Sequence, residues 1–340
     1  MKTARNITLV SLLAAGVIAV PVAYAKSKAH HNVENWLDHT AVKATLTFTE
    51  PNQHGFDFAS VQTAPAGKDY VDFVGVKQEF DYALGLEHKL SNGVSRLFVD
   101  YDHFETEESS AFSGAQQNLL AVPAAAAPPN GVFTASGKYE IRSDAVKLGS
   151  RHRLNFGSAY SVDLGAALSW IDVDRDFLAT QANRDGVSHN LLQEANFRAF
   201  GPFFDVATKY HMNSKNKKGL NLQAYAGAGL LYAKSNFTSS LLTPGVVAAE
   251  TFDREGVKGL SSEMAIKLAI GWDHVLCNKS MLSASLGYMM MHYSDAFNYG
   301  ATGGAYARFA NNGTNGTSSS GFPFTRQGPF LEFKWSGAKA

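Results

Sequence analysis

The sequence predicts an all-β protein, an antiparallel transmembrane β-barrel of about ten strands (roughly eight to twelve) with long outer loops and short periplasmic turns. Three observations predict it. Segments of about ten residues alternate apolar and polar side chains. The connections between them alternate between long and short. Aromatic residues on the apolar faces collect toward the two ends of the segments.

The clearest segment pair is the hairpin Glu263 to His292. Met264, Ile266, Leu268, Ile270 and Trp272 fall on one face, and Glu263, Ala265, Lys267, Ala269, Gly271 and Asp273 on the other. Successive strand residues point to opposite faces, so one face is wholly apolar. After the turn Cys277-Asn278-Lys279-Ser280, Leu282, Ala284, Leu286, Tyr288 and Met290 resume the apolar face. A soluble sandwich hairpin alternates too. The context of the whole chain separates the two.

That context starts at the N-terminus. Lys2 and Arg5 precede an apolar stretch, Ile7 to Val22, and Ala23-Tyr24-Ala25 is a small-x-small cleavage site. Residues 1–25 are read as a cleaved secretory signal peptide. After residue 25 no apolar run is long enough for a membrane helix. A membrane location then requires a closed barrel, because an open sheet edge cannot sit in lipid. The 340 residues carry 30 Lys+Arg and 30 Asp+Glu, and nothing in them forms a basic patch for nucleic acid. Cys277 is the one cysteine, which excludes an internal disulfide framework.

Taken in order, 26–41 reads as a periplasmic segment, 42–335 as the barrel and 336–340 as a tail. The expected strands are 42–49, 80–88, 95–104, 141–154, 160–171, 197–210, 220–232, the two of the hairpin, and 328–335. Two places strain the pattern. Tyr139 and Ile141 are out of phase with Val146 and Leu148, which suggests a bulge near Asp144. Pro202 suggests a rim position or a bulge. The stretches 105–137, 172–194, 236–259 and 294–325 read as outer loops, and every short connection then falls on the side of the N-terminus. The expected girdle residues are Tyr82, Tyr101, Trp170 and Tyr232 at the outer end, and Tyr160, Tyr210, Trp272 and Trp335 at the periplasmic end.

Several segments resemble a known family. Val42 to Ala59, Phe80 to Phe104, Ala145 to Asp172, Phe197 to Tyr232 and Glu263 to Tyr293 are similar to the Legionella major outer membrane protein family. The resemblance rests on spaced aromatic and glycine positions across most of the mature chain. It implies a pore-forming barrel in the cell outer membrane. Its partners would be outer-membrane lipid, lipopolysaccharide and the barrel assembly machinery. One departure is that Trp335 is followed by five residues, which displaces the terminal aromatic that this machinery reads.

The faces opposite the apolar ones carry Lys43, Asp81, Glu87, Arg96, Asp100, Asp102, Lys147, Arg151, Asp163, Asp205, Lys209, Asn221, Gln223, Glu263, Lys267, Asp273, Glu332 and Lys334. They are the candidate pore lining of a channel for ions and small polar solutes. The alternative is a lumen closed by paired charges, in a non-conducting barrel that acts as an adhesin or structural surface protein through its loops. No catalytic set, cofactor or metal site is expected. Asp100, Asp102 and His103 at the rim show only the proximity a hydrolase needs. Asp172-Val173-Asp174-Arg175-Asp176 begins like a calcium loop, but Phe177 and Asn183 stand where an EF-hand needs Gly and Glu. Cys277, in a periplasmic turn, is a candidate for an intermolecular disulfide in a homo-oligomer. Asn312-Gly313-Thr314 and Asn315-Gly316-Thr317 read as loop.

Overall fold

A computed structural model describes residues 36–51, 57–62, 69–73, 79–118, 132–182, 188–213, 218–242, 250–298 and 321–338. Residues 1–25, expected to be a signal peptide, and the two Asn-Gly-Thr motifs lie outside the described residues.

Twelve strands form one antiparallel sheet. They are β1 (Thr40–Pro51), β2 (Asp57–Gln62), β3 (Asp69–Phe73), β4 (Glu79–Lys89), β5 (Ser95–Asn118), β6 (Val132–Phe156), β7 (Tyr160–Ala182), β8 (Ser188–His211), β9 (Gly219–Leu242), β10 (Glu250–Val275), β11 (Met281–Asn298) and β12 (Gly321–Ser336). Ten of them close a barrel. β1 is flanked by β12 and β4, and a β5–β6 pairing completes the ring. The β2–β3 hairpin falls between the expected strands 42–49 and 80–88, where no strand is expected. It hangs on the outer end of β5, with Ser60 opposite Asn118 and Val61 opposite Gln117.

Both termini of the barrel and all four short turns lie at one end, since Ala41 pairs with Ser336 where β1 begins and β12 ends. Short turns and termini mark the periplasmic end. No helix among the described residues is long and apolar enough to cross a membrane. The strands cross instead. Ile266, Leu268, Ile270 and Trp272 stand 45–60% exposed on the outside of the barrel, as apolar side chains do when lipid is their solvent.

The strands run far beyond the lengths read from sequence. β5 to β10 carry 23 to 26 residues each, so the expected loops 105–137, 172–194 and 236–259 are largely paired strand. The 294–325 stretch likewise contributes the outer ends of β11 and β12. The reason is solvent. Past the lipid, water takes over outside the barrel, so polar residues turn outward and apolar ones inward. Glu105, Glu107, Asp174 and Glu194 are outward there, while Phe104, Val173, Phe177 and Phe197 are buried inside.

This inversion also removes the expected bulge at Asp144. β6 pairs with β7 from Thr134↔Ala182 to Phe156↔Tyr160 without a register shift. Tyr139 (0% exposed) and Ile141 (2%) point into the barrel, whereas Leu148 (58%) points to lipid. Both sets are in phase, on opposite faces. Pro202 is neither at a rim nor at a bulge. It sits mid-strand opposite Leu168 of β7. Pairing to β9 skips Gly201 and Pro202 and resumes in the same register at Phe203↔Gly229, so the missing N–H leaves only a local gap in the ladder.

Candidate functional site

The strand phase turns every expected lining residue into the barrel, and there the charges meet. Arg151 on β6 is the hub. Its guanidinium reaches Asp205 on β8 at 2.9 Å, Asp100 on β5 at 3.3 Å and Glu87 on β4 at 3.4 Å. Its flat face lies 3.8 Å over the ring of Phe98. Lys43 binds Asp100 at 2.9 Å, and Lys334 binds Glu87 at 2.7 Å. Arg96 lies 3.6 Å from Glu87. Further round, Lys209 holds Asp273 at 2.7 Å and Lys147 holds Glu263 at 2.6 Å. The Ser169 hydroxyl also donates to Glu263, at 2.8 Å. Glycines make room for this packing. A Cβ on Gly165 would collide with the Asp205 carboxylate, and one on Gly85 with Asp100 and Lys43.

Below and around the network lies a cavity of ≈ 310 Å³. Its wall begins at Ser158, Ser161 and Ser336 at the periplasmic end and rises to Ala145, Ala265, Met291 and Phe330. Nine Lys/Arg and five Asp/Glu line it, so its surface is basic. Lys267 stands near its top, 5.7 Å from the Phe330 ring centre and 6.0 Å from that of Tyr225. Among the described residues no carboxylate forms an ion pair with it.

Above the cavity the lumen turns mainly apolar. Phe104, Tyr139, Ile171, Phe177, Phe197, Phe203, Leu231, Met289, Met291, Tyr293, Phe324 and Phe330 belong to one buried cluster that crosses the outer half of the barrel. Ion pairs are embedded in it: Arg326 bonds Asp102 and reaches the Met291 sulfur at 3.1 Å, and the Lys147–Glu263 pair lies against Phe203 and Tyr293. Sequence reasoning missed this half of the lumen, together with Arg326 and with Arg153, which grips Asp163 at 2.6 Å. Arg153 carried a usable signal, since it shares the face of Arg151 on the same strand.

The rim acids and the histidine do not form a set. Asp100 and Asp102 point inward. Tyr101 and His103 point outward, where both reach the Asp144 carboxylate, at 2.6 Å and 2.8 Å. The barrel wall separates them, because neighbours in a strand face opposite ways. Asp172, Asp174 and Asp176 are strand residues on the outer face, spaced by the strand repeat, and cannot curl around a cation. No group of metal-binding residues occurs among the described residues.

The aromatic positions divide between the two ends. Tyr82, Tyr101, Trp170 and Tyr232 are outward near the outer boundary, and Tyr160, Tyr210 and Trp272 near the periplasmic one. Trp335 keeps the outward register but is fully buried. The chain folds back on itself beside it: the Gly337 N–H donates to the Thr40 carbonyl at 2.9 Å.

The family described as Legionella pneumophila major outer membrane protein precursor matches residues 38–337. The chain belongs to this family. Membership and the closed barrel together make it an outer-membrane protein. A comparison with curated proteins finds no match. Among solved structures, the chain is similar to the outer membrane protease OmpT from Escherichia coli at 10% identity, covering 88% of this chain and 96% of that one with a TM-score of 0.43. It is similar to the translocator domain of autotransporter NalP from Neisseria meningitidis at 9% identity, covering 97% of each chain with a TM-score of 0.37. It is also similar to the Pseudomonas putida toluene transporter TodX at 8% identity, covering 88% and 90% with a TM-score of 0.31. At these values the likenesses assign no activity to a member of this family.

Proposed function

We propose that this protein is an outer-membrane channel for ions and small polar solutes, without catalysis, and that the apolar layer in its outer half is the gate. The observation that carries the reading is the basic, charge-lined cavity that rises from the periplasmic end to that layer. Buried charges are costly to keep unless they are paired or wetted. A barrel that served only as a wall would gain more from an apolar filling there. An apolar constriction above a wetted vestibule gates by losing its water.

Nine basic against five acidic lining residues favour anions. Purified protein in a planar bilayer under a KCl gradient should give discrete steps with a reversal potential on the chloride side. Lys267→Glu places an acid at the neck and should move the reversal potential toward potassium by tens of millivolts. A folded, heat-modifiable barrel with no steps under any applied voltage defeats the channel reading.

A second reading, a non-conducting surface barrel, is favoured by the same apolar cluster, which crosses the lumen. The outer extensions of β5 to β10 would then be its working surface.

Subunit linkage is a separate proposal. Cys277 is a free, exposed thiol in the β10–β11 turn. In an oxidising periplasm it is placed to join two copies. A gel without reductant should show a dimer band that reductant removes and that Cys277→Ser lacks. Monomer in both lanes defeats the proposal.

A further inference from the structure

On the outside of the barrel, three cations stand directly opposite one another on adjacent strands. Arg198 on β8 pairs with Lys234 on β9, and Lys234 pairs with Lys258 on β10. All three are exposed. Residues opposite in an antiparallel pair stand about 5 Å apart at Cβ, and like charges in such positions destabilise the sheet. Only Arg198 has a balancing acid, Asp172, at 3.0 Å. Among the described residues no carboxylate forms an ion pair with Lys234 or Lys258.

The surroundings give this row a height in the membrane. Two residues toward the periplasm lies the next outward row, Phe200, Tyr232 and Leu260, which are 51%, 56% and 66% exposed. Phe204, Leu230 and Met264 continue the apolar surface downward. Toward the outside the sign reverses. Glu194, Thr238 and Asp253 face outward beyond the cations, with the Thr238 hydroxyl donating to Asp253 at 3.2 Å. The bulge in β10 between Arg254 and Val257 sits beside the row. Gly256, at φ 69°, donates to the Asn236 side chain at 2.8 Å. The Lys234 stem lies over this glycine, 3.6 Å from where its Cβ would be. Three basic heads, two of them without a carboxylate partner among the described residues, therefore occupy a narrow band between a lipid-facing apolar surface and an acidic one.

We infer that Arg198, Lys234 and Lys258 form a binding site for the phosphate of an outer-leaflet lipid, whose acyl chains lie along Phe200, Tyr232 and Leu260. Charge complementarity selects an anion, and the apolar rows directly beneath select an amphiphile. A phosphate bridging the lysines removes the repulsion that the sheet otherwise carries. The site is on the outside of the barrel wall and does not depend on whether the lumen conducts.

The test uses the full mature protein folded in neutral detergent. It is titrated with lipopolysaccharide, with the same lipid after removal of its lipid A phosphates, and with inorganic phosphate, and bound species are counted by native mass spectrometry. The phosphorylated lipid should bind, and the dephosphorylated lipid should bind at least about tenfold more weakly. Lys234→Gln with Lys258→Gln should cost a similar factor while the heat-modified gel shift stays unchanged. Lys279→Gln, in a periplasmic turn, should bind as the parent does. Equal retention of both lipids, or no loss in the double variant, overturns the site. Inorganic phosphate that binds alone as tightly as the lipid overturns the lipid assignment.

Discussion

Replacing Met291 and Phe330 together by alanine should raise single-channel conductance by roughly tenfold, the factor that a barrier lower by about 1.4 kcal/mol gives. Both side chains line the top of the basic cavity, and both belong to the buried apolar cluster above it, at 5% and 3% exposure. They form the boundary that an ion leaving the vestibule meets first. Removing their outer atoms widens the passage and lowers the cost of wetting it. Each truncation also costs about 2–5 kcal/mol of stability. Conductance is therefore compared only in preparations that show the folded, heat-modifiable band. Leu268→Ala, on the lipid face of β10, is the control and should conduct as the parent does. A folded double variant with unchanged conductance would mean that the apolar layer is not the barrier.

The second large effect is on stability. Arg151→Leu should destabilise the barrel by about 3–5 kcal/mol, because it leaves buried carboxylates without their partner. Asp205 is the most exposed to this loss. It is 4% exposed, and Arg151 is its ion-pair partner through two hydrogen-bonding nitrogens. Glu87 and Asp100 keep Lys334 and Lys43. The double variant Arg151→Leu with Asp205→Leu should therefore recover about 1–3 kcal/mol relative to the single one. Equilibrium urea unfolding in micelles, followed by tryptophan fluorescence, measures both. A single variant as stable as the parent would show that water, not Arg151, compensates these acids. A double variant no better than the single one would show that the two groups are not coupled.

Much of the wall was legible in the sequence. Between Glu263 and His292 the alternation alone specifies which side chains meet lipid. The short turns place both termini at one end. The same alternation assigns Lys43, Arg151, Asp205 and Glu263 to the interior, and the strand phase turns all four inward. The apolar outer half of the lumen was not legible, and Tyr139 and Ile141 show why. Reading outward apolar residues as the mark of a strand works only where lipid is the outer solvent. Beyond the lipid, the same strand in the same phase carries its apolar residues inside, and the pattern resembles a phase break or a loop.

What the sequence by itself determined is the direction in which each side chain points, because that direction repeats every two residues and is local. Which groups meet was decided only by the tertiary structure. Arg151 and Asp205 are 54 positions apart. Arg326 and Asp102 are 224 apart. Arg198, Lys234 and Lys258 come from three separate strands. Such neighbours depend on the register between strands and on closure of the ring, and both are set by the packing of the whole barrel.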